Sequence, residues 1–432
     1  MAAILPIKAW RYEALLGKNI ETLTAPLFDV VSSKQREILY QNPLNSIHLS
    51  VPQGEQPHLE AKRLLDRWKA DGVLVQDEVP GIYVYFQYFR LPGEQEERCR
   101  KGFIAQIKAS DWEEGAILRH ENTIVSAVTD RIDLLRATEI QVSPTHGLYE
   151  DKNQELEAFL DEAIEHPLYE LEDYQGVREV LARVTSPEVI ARFVQTMADK
   201  KVILADGHHR LEAGIAYRKE RAEDFRDTKW VASEYHLMYL TNVQGNHLEI
   251  LPTHRLYYGK ELSKDTFFNQ LDSLFEIRLL GEAEELSTYT FQRKWSFGLI
   301  WEDASYVIKF RQEKFDQVAP ALPEVLRQLD LVLLHDLLFD KILGLSSEQQ
   351  RNSDLLAFER NFSRCVQEVR GGKATFAIIT REIKLSQVME VCRSGQVMPQ
   401  KSTYFYPKAL GGLLFGTVNQ DEFDYDYDQF FS

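Results

Sequence analysis

The chain has 432 residues, 44% of them hydrophobic and 27% charged, which excludes fibrous and disordered classes and leaves an ordinary folded protein able to bury its core without cross-links. A formal net charge of −17 argues against a surface built to embrace nucleic-acid phosphates. Three widely spaced cysteines, Cys99, Cys365 and Cys392, give neither a disulfide framework nor a zinc site and fit a cytoplasmic location, and no leader-like start or run of ~18 apolar residues suggests secretion or a membrane span.

In chain order, Ala25-Pro26-Leu27-Phe28-Asp29-Val30-Val31-Ser32 is a turn-like segment. Its single acid either becomes a buried, perturbed carboxylate or caps the next helix. Residues 56–72 carry Leu59, Leu64, Leu65 and Trp68 near helical spacing and end at Asp71-Gly72, which predicts an amphipathic helix. Residues 81–89 and 102–107 are aromatic and β-branched with Pro92-Gly93 between them, the pattern of a β-hairpin. The stretch 118–131 packs Arg119, His120, Glu121, Asp130 and Arg131 closely together before an apparent helix over 130–137. It reads either as a pocket lining or as a loop whose charges pair with one another.

Ser186-Pro187-Glu188 is a helix start, with a capping hydroxyl and proline at the first helical position. Val189, Ile190, Phe193, Val194 and Met197 supply the buried stripe of a helix that ends near Asp199. A short apolar strand over 201–205 follows, then the turn Asp206-Gly207-His208-His209-Arg210, then a helix over 211–222. Further strands are predicted over 234–241, 296–301, 306–310 and 374–380, and helices over 329–342 and 385–392. The run 398–408 mixes aromatics with Lys401, Ser402 and Thr403, and 421–428 reads as a solvated acidic tail. The interleaving predicts a mixed α/β fold, a mixed β-sheet core with flanking helices. Its regions are 1–150, 151–260 and 261–432, or one intertwined unit.

The 206–210 turn is the sharpest local signal. Gly207 permits close backbone approach, and the following helix offers N–H groups and a positive dipole end to an anion. His208, His209 and Arg210 add donors, and Asp206 is a general base, a magnesium ligand or the helix cap. Adjacent histidines lack the one-turn spacing of a zinc pair. No phosphate loop, protein-kinase signature or nucleophile elbow is present in the sequence.

Four segments together resemble the bacterial and archaeal family of domain of unknown function 1015: 25–31, Leu118-Arg119-His120-Glu121-Asn122-Thr123, 205–210 and 398–408. The first departs slightly, with Leu27-Phe28 where the family pattern has Pro-Tyr. The 206–210 turn is also similar to the phosphate-binding corner of the ParB and sulfiredoxin group, which includes a free-serine kinase.

That second resemblance implies a nucleotide-dependent phosphotransferase acting on a small hydroxyl metabolite, with free serine as the specific expectation. Gly207, His208, His209, Arg210, Arg119 and Lys401 would hold the phosphates of ATP or ADP with Mg2+ at Asp206. His120, Ser402, Thr403 and Tyr404 would hold the substrate. Asp206, Glu121 and Asp29, in that order, are the proton acceptors. The rival readings are a nucleotide-binding regulatory protein without turnover and a phosphate-ester hydrolase, with a nucleotide and a small molecule as partners in place of membrane or nucleic acid.

Overall fold

In the computed structural model, residues 1–431 are described apart from 92, 246, 261, 287, 288, 290–292 and 353. The chain is a mixed α/β protein of two compact units. The first comprises Met1–Arg119, Thr123–Leu248 and the segment that starts at Pro407. The second comprises His120–Asn122 and Glu249–Tyr406.

The first unit is built on nine strands: β1 (Ile4–Leu5), β2 (Ile82–Phe89), β3 (Arg98–Lys108), β4 (Ile117–Leu118), β5 (Thr145–Tyr149), β6 (Tyr169–Glu172), β7 (Arg178–Val184), β8 (Val202–Asp206) and β9 (Tyr235–Asn242). They lie in the order β4-β8-β5-β9-β3-β2-β7-β6, with β1 on β3. The sheet is mixed, because β4 runs parallel to β8 and β5 parallel to β9 while the other pairs are antiparallel. Strands from both sides of residue 150 thus share one sheet.

Alternation explains why the central strands are buried on both faces. In β2, Ile82, Val84 and Phe86 join one buried cluster while Tyr83 and Tyr85 join another, so a period of two feeds both faces. The predicted hairpin is the β2–β3 pair. Pro92 of its turn lies outside the described residues, and Gly93 turns with φ +83°.

The helices of the first unit include α1 (Pro57–Ala70), α2 (Val125–Thr138), α3 (Pro187–Met197) and α4 (His208–Arg221). The Ser186 hydroxyl accepts the Val189 N–H at 3.4 Å, and Ile190, Phe193, Val194 and Met197 are buried. Full burial of such a side chain is worth about 1.5–3 kcal/mol. Helix α2 begins five residues before the predicted start at Asp130. Leu134 and Leu135 are its buried stripe, and the polar first turn hides this from a pattern search.

The acidic run is not a solvated tail. Phe423, Tyr427 and Phe430 are buried in the first unit's core. Glu422 takes Trp10 and Lys69, and Asp428 takes Lys229. Aromatics alternate with the acids, so the segment has one apolar side that the charge count conceals.

The second unit holds a six-stranded antiparallel sheet of β10 (His254–Tyr257), β11 (Phe275–Leu280), β12 (Ser296–Trp301), β13 (Ser305–Phe310), β14 (Leu356–Glu359) and β15 (Phe376–Ile379), in the order β11-β13-β12-β15-β10-β14. Phe376 and Ile378 pack on one face, Ala377 and Ile379 on the other. The predicted helix 329–342 starts at Asp330 and continues as π-helix over Leu334–Ile342. No helix among the described residues is long and apolar enough to cross a membrane.

Candidate functional site

Strand β8 is buried along its whole length and ends at Asp206. Gly207 then takes φ +88°, a conformation that costs any residue with a Cβ, and α4 starts at His208. A Cβ at Gly207 would stand 2.6 Å from Thr145 Cγ2 and 2.8 Å from Arg210 Nη2. The chain therefore turns from strand into helix in one residue, and the N-terminal N–H groups of a fourteen-residue helix open at the turn.

Asp206 is gripped from two sides. Its Oδ2 accepts from Arg210 Nη2 at 3.1 Å, and its Oδ1 pairs with Lys408. Burial alone would raise its pKa, but Lys408 and Arg210 outweigh burial and hold the carboxyl below its ordinary value. It is not the helix cap: Gly207 takes that position, and both carboxylate oxygens are turned to cations. With both oxygens on cations it also does not fit a magnesium ligand. Among the described residues no group of three or more metal-capable side chains forms.

Arg210 is as firmly engaged. Its Nη1 donates to Pro144 O at 2.7 Å and to Ser143 Oγ at 2.9 Å. The fork thus ties α4 to the approach to β5. His209 accepts the Ile124 N–H on Nε2 at 3.0 Å, which leaves the ring proton on Nδ1. Glu212 accepts from Thr123 Oγ1 at 3.2 Å and from Arg119 at 3.5 Å, so the residues around the excursion 120–122 are stitched to α4. Arg119 also lies over the Trp112 ring at 5.0 Å.

Lys408 is held by a polar network inside the sheet. Gln87 Nε2 donates to Lys408 O and to Glu179 Oε1, both at 3.1 Å, while Arg100 donates to Gln87 and to Pro407 O. Burial pushes Glu179 up to about 8, so its carboxyl is protonated at neutral pH. A carboxyl raised in the folded state binds protons that the unfolded chain releases, so it costs stability as pH rises from about 4.5 toward about 8. Glu179→Gln is expected to flatten this slope, gaining most over the native chain near pH 8, as urea melts across pH 5–8 would measure.

His146 stands opposite Asp206 in register, stacks on Tyr239 at 5.1 Å and bonds Thr241 at 2.9 Å. Burial, aided by Arg100, depresses its pKa well below normal, so it is neutral.

Asp29 is exposed, which corrects the expectation of a buried carboxylate there. It is not the cap either, since Ser32 accepts the Gln35 N–H in a capping box for the helix Ser33–Leu39.

The remaining expected residues belong to the second unit. His120, fully buried, meets Thr403 Oγ1 at 2.7 Å. Glu121 accepts the Ser402 N–H at 3.1 Å. Ser402 donates to Pro399 O, and the Tyr404 ring carries Arg360 at 4.0 Å. Lys401 is exposed at φ +57°, and its carbonyl accepts from Arg255 at 3.4 Å. Arg255 is wholly buried and bonds His335 at 3.3 Å; burial lowers its pKa to about 9 against the pull of Glu121. The candidate residues therefore fall into two groups, Asp29, Arg119 and 206–210 in one unit, His120, Glu121 and 401–404 in the other. Sequence reasoning missed Gln87, Glu179 and Arg255, and it singled out the run that ends at Lys408 without giving that lysine a role. No local spacing signals them, because each meets its partners through tertiary packing.

The sequence profile of the family described as "Protein of unknown function (DUF1015)" matches residues 4–332. None of the curated proteins matches the chain. Among solved structures, a free serine kinase in complex with AMP is similar at 12% identity over 67% of this chain and 83% of that chain, with a TM-score of 0.34. A conserved hypothetical protein from Pyrococcus furiosus is similar at 13% identity over 67% and 87%, with a TM-score of 0.33. SbnI with a C-terminal truncation, from Staphylococcus aureus, is similar at 10% identity over 73% and 84%, with a TM-score of 0.31.

Proposed function

Because the chain belongs to that family, whose description assigns no reaction, we propose from this chain's own residues a nucleotide-dependent phosphotransferase for a small hydroxyl metabolite, with free serine as the first acceptor to test. The observation that carries the reading is the corner itself: a buried strand that turns through a left-handed glycine into the N-terminus of α4, with His208, His209 and Arg210 in its first turn. Backbone N–H groups and the helix dipole at such a turn suit phosphate oxygens. Arg210 contributes chiefly by holding the corner in place, since its Nη atoms already donate to Asp206, Ser143 and Pro144.

In the transfer, the acceptor hydroxyl oxygen attacks the terminal phosphorus, the bond to the nucleotide oxygen breaks, and the hydroxyl proton passes to a carboxylate. Asp206, paired with Lys408 and Arg210 and held at low pKa, is a weak base. Glu121 already accepts from the Ser402 backbone. Asp29, exposed and acting by its charge on Arg131, suits the proton-acceptor role best of the three.

Incubating the chain with L-serine and either ATP or ADP should yield phosphoserine, and Asp29→Asn should slow it about 100-fold or more, the range of lost general-base catalysis. The regulatory reading rests on one observation, that the acid closest to the corner is neutralised by two cations; nucleotide binding with no phosphorylated product would favour it.

A further inference from the structure

Beside α4 the first unit holds a half-open cavity of about 60 Å³. Its walls are mostly apolar, with Phe28, Leu134 and Val142 among them, but Arg131, Arg210, Ser50 and His236 also line it. Three of those four present a buried polar atom with no hydrogen-bond partner among the described residues: Arg210 Nε, Ser50 Oγ and His236 Nε2.

All three are donors. The guanidinium Nε carries a proton, and the hydroxyl can rotate to give one. The imidazole follows from its neighbour: Gln141 Oε1 accepts the Leu237 N–H at 2.6 Å, so its amide nitrogen faces Tyr235 O at 3.3 Å and His236 Nδ1 at 3.4 Å. Nδ1 is therefore an acceptor and the proton sits on Nε2. Burial drives the His236 pKa down to about 3, so the ring stays neutral and donates once. Buried donors without acceptors are costly, and three of them on residues that line one cavity suit a guest rich in acceptors.

Charge narrows the guest. Arg131 is paired with Asp130, and Arg210 with Asp206, which also holds Lys408. Two guanidiniums, Arg131 and Arg210, line the cavity, while the exposed Asp29 also acts by its charge on Arg131. Two guanidiniums in the wall suit a small anion. The volume admits only a few heavy atoms, and the apolar walls suit a short carbon stem.

We propose that this cavity binds the carboxylate of a small two- or three-carbon acid, and that the acceptor in the transfer reaction is such a hydroxy-bearing carboxylate. The word acceptor rests on the phosphotransferase reading; the binding of the carboxylate does not.

Calorimetric titration of the intact chain with glycolate, L-serine, serinol and inorganic phosphate, without nucleotide, tests it. Glycolate and L-serine should bind one to one and serinol, which lacks the carboxylate, should not. Ser50→Ala and His236→Phe, each checked for an unchanged thermal transition, should each weaken L-serine about tenfold, the loss of one hydrogen bond to a charge. The proposal is overturned if no carboxylate binds, which would leave a water-filled cavity only. It is equally overturned if serinol binds as well as serine, if phosphate alone binds, or if both variants bind serine unchanged. Separate titration with ADP distinguishes the two readings: carboxylate binding without nucleotide binding removes the transferase and keeps this site, and the converse does the reverse.

Discussion

Asp206→Asn is expected to lower the unfolding free energy by about 3–5 kcal/mol at neutral pH, the typical cost of removing one partner from a buried ion pair. The substitution leaves Lys408 and Arg210, each with a side chain about 9% exposed, facing one another without a counter-charge. Lys408→Met in the Asp206→Asn background should recover part of the loss, because the buried ammonium then no longer needs a partner. The pH dependence has a definite sign. Asp206 is held below its ordinary pKa, so its contribution is complete above the unfolded value of about 3.9 and disappears as pH falls through the lower folded value. The acid limb of the stability profile should therefore be shallower in Asp206→Asn. Urea melts of the three chains from pH 2.5 to 7 measure both effects; equal stability of native and Asp206→Asn chains at pH 7 would refute the ion-pair account.

Gly207→Ala should destabilise the fold by about 1–3 kcal/mol and weaken nucleotide binding by about tenfold or more. The first effect has three sources, the φ of +88°, the 2.6 Å approach to Thr145 Cγ2 and the 2.8 Å approach to Arg210 Nη2. The Thr145 part is separable: Thr145→Ser in the Gly207→Ala background removes the methyl and should relieve that clash while leaving the backbone strain and the approach to Arg210. The second effect follows because the corner must open to make room, which displaces the first turn of α4 from the phosphate. Thermal melts and ADP titrations of the single and double substitutions check each part. Unchanged ADP affinity in Gly207→Ala would place any nucleotide elsewhere.

Much of this was legible in the residues. The apolar run before Asp206, the glycine after it and the periodicity beyond gave β8, the turn and α4, because each is decided by neighbours within a few positions. Ser186-Pro187 and the stripe from Ile190 to Met197 gave α3 for the same reason. The strand order was not legible, since β8 takes β4 on one side and β5 on the other and loop composition does not encode which strands meet. Arg210 reads as an anion grip but is engaged by main-chain carbonyls at 143 and 144, acceptors that every residue carries and no sequence advertises. Lys408 and Asp206 lie 202 positions apart, beyond any local pattern. The π-register over Leu334–Ile342 was hidden because apolar spacing at Leu334, Leu337 and Leu338 does not distinguish it from an α-helix.

The central claim is that the corner at 207–210 receives nucleotide phosphate. Its most direct test is calorimetric titration of the native chain and Gly207→Ala with ATP and ADP, with and without Mg2+. One nucleotide bound per chain, weakened about tenfold or more by Gly207→Ala, is the predicted result. Absence of binding by the native chain in every condition would contradict it.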